Sequence, residues 1–329
     1  MTAFKALRVH KTDDGFSMGV EQQQVDELPA GELLIRVHYS SLNYKDALSA
    51  SGNPGVTRNF PHTPGIDAAG VVESSDDDRF AAGDEVIVTG YDLGMNTAGG
   101  LGQYIRVPAD WAVPVPAGLS LRESMIIGTA GLTAALCLAK LQTMGLPEGG
   151  RVVISGASGG VGSFGVALLS KLGFEVAAST GSPKAADWLT ELGASKILDR
   201  SILSEPDKRP MAAGQWDGAI DTVGGETLAN IIKELNYGAS VTVVGLVGGT
   251  DIPVTVFPFI LRDVNLLGVD SVEISHQRRL DVWGHLAQDW KLDNLESLAS
   301  EISLSEVPAY LKGLLNGSVR GRTLVTLGE

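Results

Sequence analysis

The stretch "VVISGASGGVGSFGVALLSKLG" constrains the fold of this chain more than any other. It reads as a short apolar strand ending at Ser155, a glycine-rich turn, and an apolar helix starting near Gly160. A run as apolar as "RVVIS" suits a parallel strand buried on both faces. The turn holds Gly156, Gly159, Gly160 and Gly162. Gly159 lets the backbone approach a pyrophosphate closely, and Gly162 lets the helix pack tightly on the strand. The helix N-terminus offers unpaired N–H groups and a partial positive charge to phosphate. Ser158, Gly159, Gly160 and Val161 are the residues set to use them. Ala157, a small replacement, stands where the usual fingerprint has its first glycine. Such a turn is a weak signal alone. With further βα units behind it, it reads as a dinucleotide site.

Those units follow directly. "FEVAAS", "KAADWLTELG", "SKILD", "DGAIDTVG", "ETLANIIKEL" and "ASVTVVG" alternate strand and helix to about Val244. That alternation predicts a doubly wound parallel sheet with right-handed crossovers. The preceding texture differs. "ALRVH", "ELLIRVHY", "DAAGVVES", "DEVIVTG" and "GQYIRVP" are short strand-like runs broken by Gly, Pro and Asp. "VPAGLSLRESMIIGTAGLTAALCLAKL" then reads as helix, and the C-terminal end as helix, turn and a last strand. The expected fold class is α/β. A β-rich domain takes residues 1–122 and 272–329, and a nucleotide-binding Rossmann domain takes 123–271.

The end of the second strand of the Rossmann unit discriminates between cofactors. A carboxylate there would bind a ribose 2′-hydroxyl and favour NAD. Here "FEVAASTGSPKAADW" offers Thr180, Gly181, Ser182 and Lys184, with no carboxylate before Asp187. Hydroxyls plus a cation suit a 2′-phosphate. Arg200, in "KILDRS", adds a second cation. NADPH is the expected cofactor.

Composition narrows the partners. The net charge is −14, with no block of Lys and Arg to displace counterions, so no nucleic acid is expected. The same surplus of acid disfavours an anionic membrane surface. The longest apolar run, Met125 to Ala139, is about 15 residues, where a membrane span needs about 20. The N-terminus "MTAFKALRVH" alternates like a strand and lacks the pattern of a signal peptide. The single cysteine, Cys137, makes no intrachain disulfide and lies in an apolar run. A cytoplasmic protein without bound metal is expected.

A second stretch, "SSLNYKDALSASG", sets Asn43, Tyr44, Lys45 and Asp46 at a junction of strand and helix. Polar residues there form a solvated turn or one wall of a site. The chain resembles the medium-chain dehydrogenase/reductase superfamily over nearly its whole length. Its likeness is to the quinone oxidoreductase-like branch typified by bacterial acrylyl-CoA reductase. The strings that carry it are "SSLNYKDALS", "RNFPHTPGIDAAG", "MIIGTAGLTA", "GASGGVGS", "FPFILRDVNLLGVDS", and "EISLSE" with "GRTLV". The resemblance implies that the β-rich domain is GroES-like. Zinc alcohol dehydrogenases of this superfamily have a Cys near the position of Asn43, and His and Glu where Ile66 and Asp67 stand here. Asn, Ile and one Asp do not supply a zinc site.

By the same resemblance Tyr44 faces the nicotinamide and the acceptor as the catalytic candidate, and Asn43, Lys45 and Asp46 hold it in place. Thr133, Leu246, Ile260 and Ser271 would line the cofactor groove. Arg262, Arg320 and Arg322 could reach a CoA phosphate, but no role is assigned to them. Without a Lewis acid the acceptor must already be activated. The implied reaction reduces the C=C of a short enoyl-CoA, acrylyl-CoA to propionyl-CoA. A quinone or enone reductase, or a non-catalytic NADPH-binding sensor, are the alternatives. "DVNLLGVDS" reads as an edge strand of the Rossmann sheet, where subunits of this superfamily often join, so a homodimer is expected.

Overall fold

The computed structural model describes residues 2–328. The chain forms two compact units: residues 1–129, 272–289 and 294–329 in the first, and 130–271 with 290–293 in the second. The first holds β1 (Ala3–Thr12), β2 (Gly15–Gln24), β3 (Leu33–Ser41), β4 (Asp67–Ser75), β5 (Glu85–Thr89), β6 (Tyr104–Val107) and β7 (Ala112–Pro114). The second holds β8 (Arg151–Ile154), β9 (Glu175–Thr180), β10 (Lys196–Asp199), β11 (Trp216–Asp221), β12 (Leu235–Val243) and β13 (Asn265–Gly268). The chain then returns to the first unit with β14 (Ala299–Ser303) and β15 (Arg322–Thr326).

In the first unit a sheet runs β14-β15-β3-β4-β5-β7, with β6 also paired to β3, and β1 and β2 form a separate hairpin. Inward residues alternate with outward ones and build one core that includes Leu33, Ile35, Val37, Val86, Val88 and Ile105. The hairpin partner β2 is half-buried, with Phe16 and Met18 packed against that core. In its sequence, GFSMGVEQQQ, the apolar Phe16, Met18 and Val20 alternate with Ser17, Gly19 and Glu21 over the first half, and a polar run paired to β1 completes the strand. The first unit also holds α1 (Tyr44–Ala50).

The helix α2 (Leu121–Thr143) is interrupted at Gly128, whose φ of 49° and ψ of −160° are not helical. The chain passes from the first unit to the second beside this kink. At 23 residues α2 is longer than the 15-residue apolar run suggests, and it is apolar enough to cross a bilayer by length and composition. Yet 83% of its most apolar window is buried within the protein, as a core helix requires. Cys137 lies on it with no exposed surface, and burial pushes its thiol up to about 12.

The second unit's sheet is parallel throughout, in the order β10-β9-β8-β11-β12-β13. This is the doubly wound order, in which the winding reverses between the first strand and the fourth, here β8 and β11. The central strands are buried on both faces, which is why "VVI" of β8 and "GAI" of β11 carry no polar side chain. The helices α3 (Gly160–Lys171), α4 (Ala186–Glu191), α5 (Ser201–Ser204), α6 (Gly225–Glu234) and α7 (Phe257–Arg262) connect the strands. α8 (His276–Ala287) and α9 (Val307–Leu315) belong to the first unit.

Candidate functional site

In the second unit the chain leaves β8 at Ser155 and turns through Gly156, whose φ of 58° is left-handed. A side chain there would be strained, and a Cβ would come 2.2 Å from Thr222 Oγ1. Ala157 N donates to Ser179 O at 2.9 Å, which ties this turn to the end of β9. Gly159 is the N-cap of α3 and contributes no side-chain cap. The first intrahelical bond is Ser163 N to Gly159 O, 2.9 Å, so the N–H groups of Gly160, Val161 and Gly162 have no partner inside the helix. A pyrophosphate suits those donors. A Cβ on Gly162 would fall 2.4 Å from Gly156 O, so the helix sits directly on the turn.

The end of β9 brings the 2′-phosphate candidates together. Thr180 Oγ1 donates to Ser158 Oγ at 3.0 Å and accepts from Ser182 N at 3.1 Å. Arg200 N donates to Thr180 O at 3.0 Å, and the Arg200 side chain lies along Gly181, where a Cβ would meet its Cδ at 2.5 Å. Lys184 and Arg200 are exposed. The hydroxyls of Thr180 and Ser158, the amide of Ser182 and the Arg200 side chain thus share one rim, with Lys184 two residues along the chain from Ser182, and this donor set fits a phosphomonoester. Thr133 donates from Oγ1 to Ser271 Oγ at 2.9 Å. Leu246 and Ile260 are exposed at 61% and 67%, Ile260 on α7 and Leu246 in the loop after β12.

Tyr44 belongs to the first unit, as the first residue of α1. Its side chain is 40% exposed. The residues under it form a closed network. Asn43 N donates to Asp46 Oδ2 at 2.8 Å, which starts the helix, and Ile66 N donates to Asp46 Oδ1 at 2.9 Å. Asp67 has no exposed surface. It accepts from Ser41 Oγ and Asn43 Nδ2, both at 2.7 Å, and from Thr129 Oγ1 at 2.5 Å and Thr129 N at 3.0 Å. Arg322 closes an ion pair to Asp67 at 3.5 Å and also donates to Asn43 Oδ1, Leu42 O and Ile126 O.

These contacts decide what two arginines left without a role do. Arg322 cannot reach a CoA phosphate, because it is 2% exposed and its donors are spent on Asp67, Asn43 and main-chain carbonyls. Arg262 likewise donates to the carbonyls of Lys233, Leu235 and Ala212. Asn43 and Asp46 hold the start of α1, and the buried acceptor Asp67 holds Asn43. Sequence reasoning missed Arg322 as the counter-charge. Its only signal was an arginine inside a strand-like "GRTLV", where a cation needs a buried partner.

Burial and the neighbouring Asp67 carboxylate push Asp46 up to about 7, against its two backbone N–H donors and the Arg322 charge. Zinc does not fit this centre. The carboxylate of Asp67 is saturated by hydrogen bonds and an arginine, and no group of three His, Cys, Asp or Glu suited to a metal occurs among the described residues.

Two family models match the chain: an alcohol dehydrogenase GroES-like domain over residues 29–117 and a zinc-binding dehydrogenase domain over 160–284. The acrylyl-CoA reductase AcuI of Ruegeria pomeroyi is 46% identical over 98% of both chains. Bacillus subtilis YhfP, provisionally named a quinone oxidoreductase, is 46% identical over 99% of both, and its crystal structure with NAD bound superposes with a TM-score of 0.96. The YhdH oxidoreductase of Salmonella enterica, crystallised with NADP, is 46% identical, with a TM-score of 0.95 over 98% of this chain and 100% of that one. On these matches, and on the doubly wound sheet and glycine turn that underlie them, the chain belongs to the quinone oxidoreductase-like branch of the medium-chain dehydrogenase/reductase superfamily of oxidoreductases.

Proposed function

We propose that this protein is an NADPH-dependent reductase of the activated C=C of a short enoyl-CoA, taking acrylyl-CoA to propionyl-CoA. One observation carries the cofactor half: an uncapped α3 N-terminus beside a rim of hydroxyls and cations with no carboxylate at the end of β9. The full-length identity to an acrylyl-CoA reductase supports the substrate half.

When bound, NADPH would supply a hydride for the β-carbon of the acceptor, and a proton from solvent would complete the α-carbon. The chain's own residues do the rest. The N–H groups of Gly160 and Val161 hold the pyrophosphate, and Thr180, Ser182, Lys184 and Arg200 hold the 2′-phosphate. Thr133, Ser271, Leu246 and Ile260 line the remainder of the cofactor groove. The Tyr44 phenol donates to the thioester oxygen as negative charge develops there, which lowers the barrier by electrostatic stabilisation. Asp67 and Arg322 keep Asn43, and so the start of α1, fixed while this happens.

The test is loss of NADPH absorbance with acrylyl-CoA, with NADH, a benzoquinone and an enone in parallel. A higher kcat/KM for acrylyl-CoA than for the benzoquinone is expected, because acceptor discrimination is read in that ratio. No turnover of acrylyl-CoA above background overturns the reading. Preference for the benzoquinone, the acceptor class of the YhfP name, replaces its substrate half.

A further inference from the structure

Three loops meet at the carboxyl ends of β8, β11 and β12, the position where the winding of the sheet reverses and where ligands of doubly wound folds bind. The first is the glycine turn after Ser155. The second is "TVGG", residues 222–225, and the third is "VGLVGG", residues 244–249, which carries Leu246. A single buried carboxylate bonds to Ser155 at the head of the first and to the second, and the main chain of the second bonds to the third.

We propose that Asp221 is a positioning residue for the dinucleotide, holding the pyrophosphate turn in register with the Leu246 loop. The proposal rests on the NADPH reading above. Asp221 ends β11 with no exposed surface. Its Oδ1 accepts from Ser155 Oγ at 2.6 Å and its Oδ2 from Gly224 N at 2.7 Å. Thr222 doubles the first link: its N donates to Ser155 Oγ and its Oγ1 to Ser155 O, both at 2.9 Å. The second loop is in turn bonded to the third. Val244 N donates to Asp221 O at 3.0 Å, and Gly248 N donates to Val223 O at 2.7 Å.

The packing leaves no slack between the loops. A Cβ on Gly245 would fall 1.9 Å from Thr222 O, and one on Gly224 would fall 2.5 Å from Gly249 O. Residues 222–225 therefore cannot move without moving both neighbours. Burial disfavours the charge of Asp221 and raises its pKa, while the donors from Ser155 and Gly224 oppose that shift. An apolar residue would avoid this desolvation cost altogether. What a carboxylate adds is two strong, directional hydrogen bonds, one to Ser155 at the head of the glycine turn and one to Gly224 in the loop that is bonded to the Leu246 loop.

The experiment compares wild type, Asp221→Asn and Asp221→Ala for the Kd of NADPH and of 2′,5′-ADP, with urea unfolding alongside. The fragment engages the turn and the 2′-phosphate rim but is too short for the Leu246 loop. In Asp221→Asn the side-chain oxygen accepts from Gly224 N while its NH2 donates to Ser155 Oγ, so both links survive. NADPH binding within about threefold of wild type is expected for Asn. For Ala, losing two bonds to a charged acceptor should weaken NADPH about tenfold or more, and 2′,5′-ADP several-fold less than that. Equal weakening of both ligands, or wild-type affinity in Asp221→Ala, overturns the proposal. If Asp221→Ala does not fold, Thr222→Val removes one Ser155 link at constant volume, and the same split at smaller size is required. A wild-type protein that binds neither ligand overturns the cofactor reading, and the proposal with it.

Discussion

Asp46 has no exposed surface, accepts two backbone N–H bonds and lies beside a second carboxylate. Its pKa near 7, against 3.8 for the free side chain, makes the folded state the better proton binder between those values. Over that window the contribution of Asp46 to stability falls as pH rises, by up to about 1.4 kcal/mol per pH unit; it is complete below pH 4 and gone above 7. Denaturant unfolding of wild type and Asp46→Asn from pH 5 to 8 should show a shallower slope in the variant; parallel slopes would assign the dependence elsewhere. Two residues earlier, Tyr44 presents a phenol at the start of α1. Tyr44→Phe removes one donor and should lower kcat with acrylyl-CoA about 100-fold, with NADPH affinity nearly unchanged. An unaltered kcat would remove the phenol from the mechanism.

At the scale of elements, the proposed preference for NADPH rests on the end of β9. Thr180, Ser182, Lys184 and Arg200 come from a strand end, a turn and the residue after β10; bonds from Arg200 N to Thr180 O and from Ser182 N to Thr180 Oγ1 draw three of them together. Replacing both Lys184 and Arg200 with Ala should cut the NADPH-over-NADH ratio of kcat/KM by about tenfold to a hundredfold, the worth of one or two charge-assisted bonds. A ratio that does not move would place the 2′-phosphate elsewhere. The elements themselves were legible where hydrophobic period and turn chemistry agreed, as for β8, α3, α6 and β12. In β2 the alternation of Phe16, Met18 and Val20 spans only the first half of the strand, and pairing to β1 extends it through the polar residues 21–24.

For the whole molecule, β13 leaves one edge of the parallel sheet unpaired, with Leu266 39% exposed on it. Phe257, Ile260 and Leu261 on α7 are exposed at 44%, 67% and 58%. An open edge and exposed apolar side chains favour pairing with a second copy. Light scattering should find a homodimer, and Leu266→Lys should shift it to monomer, since a charge on an edge strand blocks edge pairing. A monomeric wild type at micromolar concentration would exclude this assembly.

The sequence by itself determined the class of the fold and the place of the glycine turn between β8 and α3. Both are written in local order: a strand, a glycine turn and a helix are adjacent in the chain, and their periodicity survives without knowledge of the rest. Asn43 and Asp67 were also readable as the remnant of a lost metal site. Only the tertiary structure decided what neutralises Asp67, because Arg322 is separated from it by most of the chain and becomes its partner through the pairing of β15 with β3 and of β3 with β4. The same holds for Asp221, whose meaning depends on β8 and β11 lying side by side. Charges buried together by strand pairing leave no periodic trace in the sequence, so their roles emerge only when the sheet closes around them.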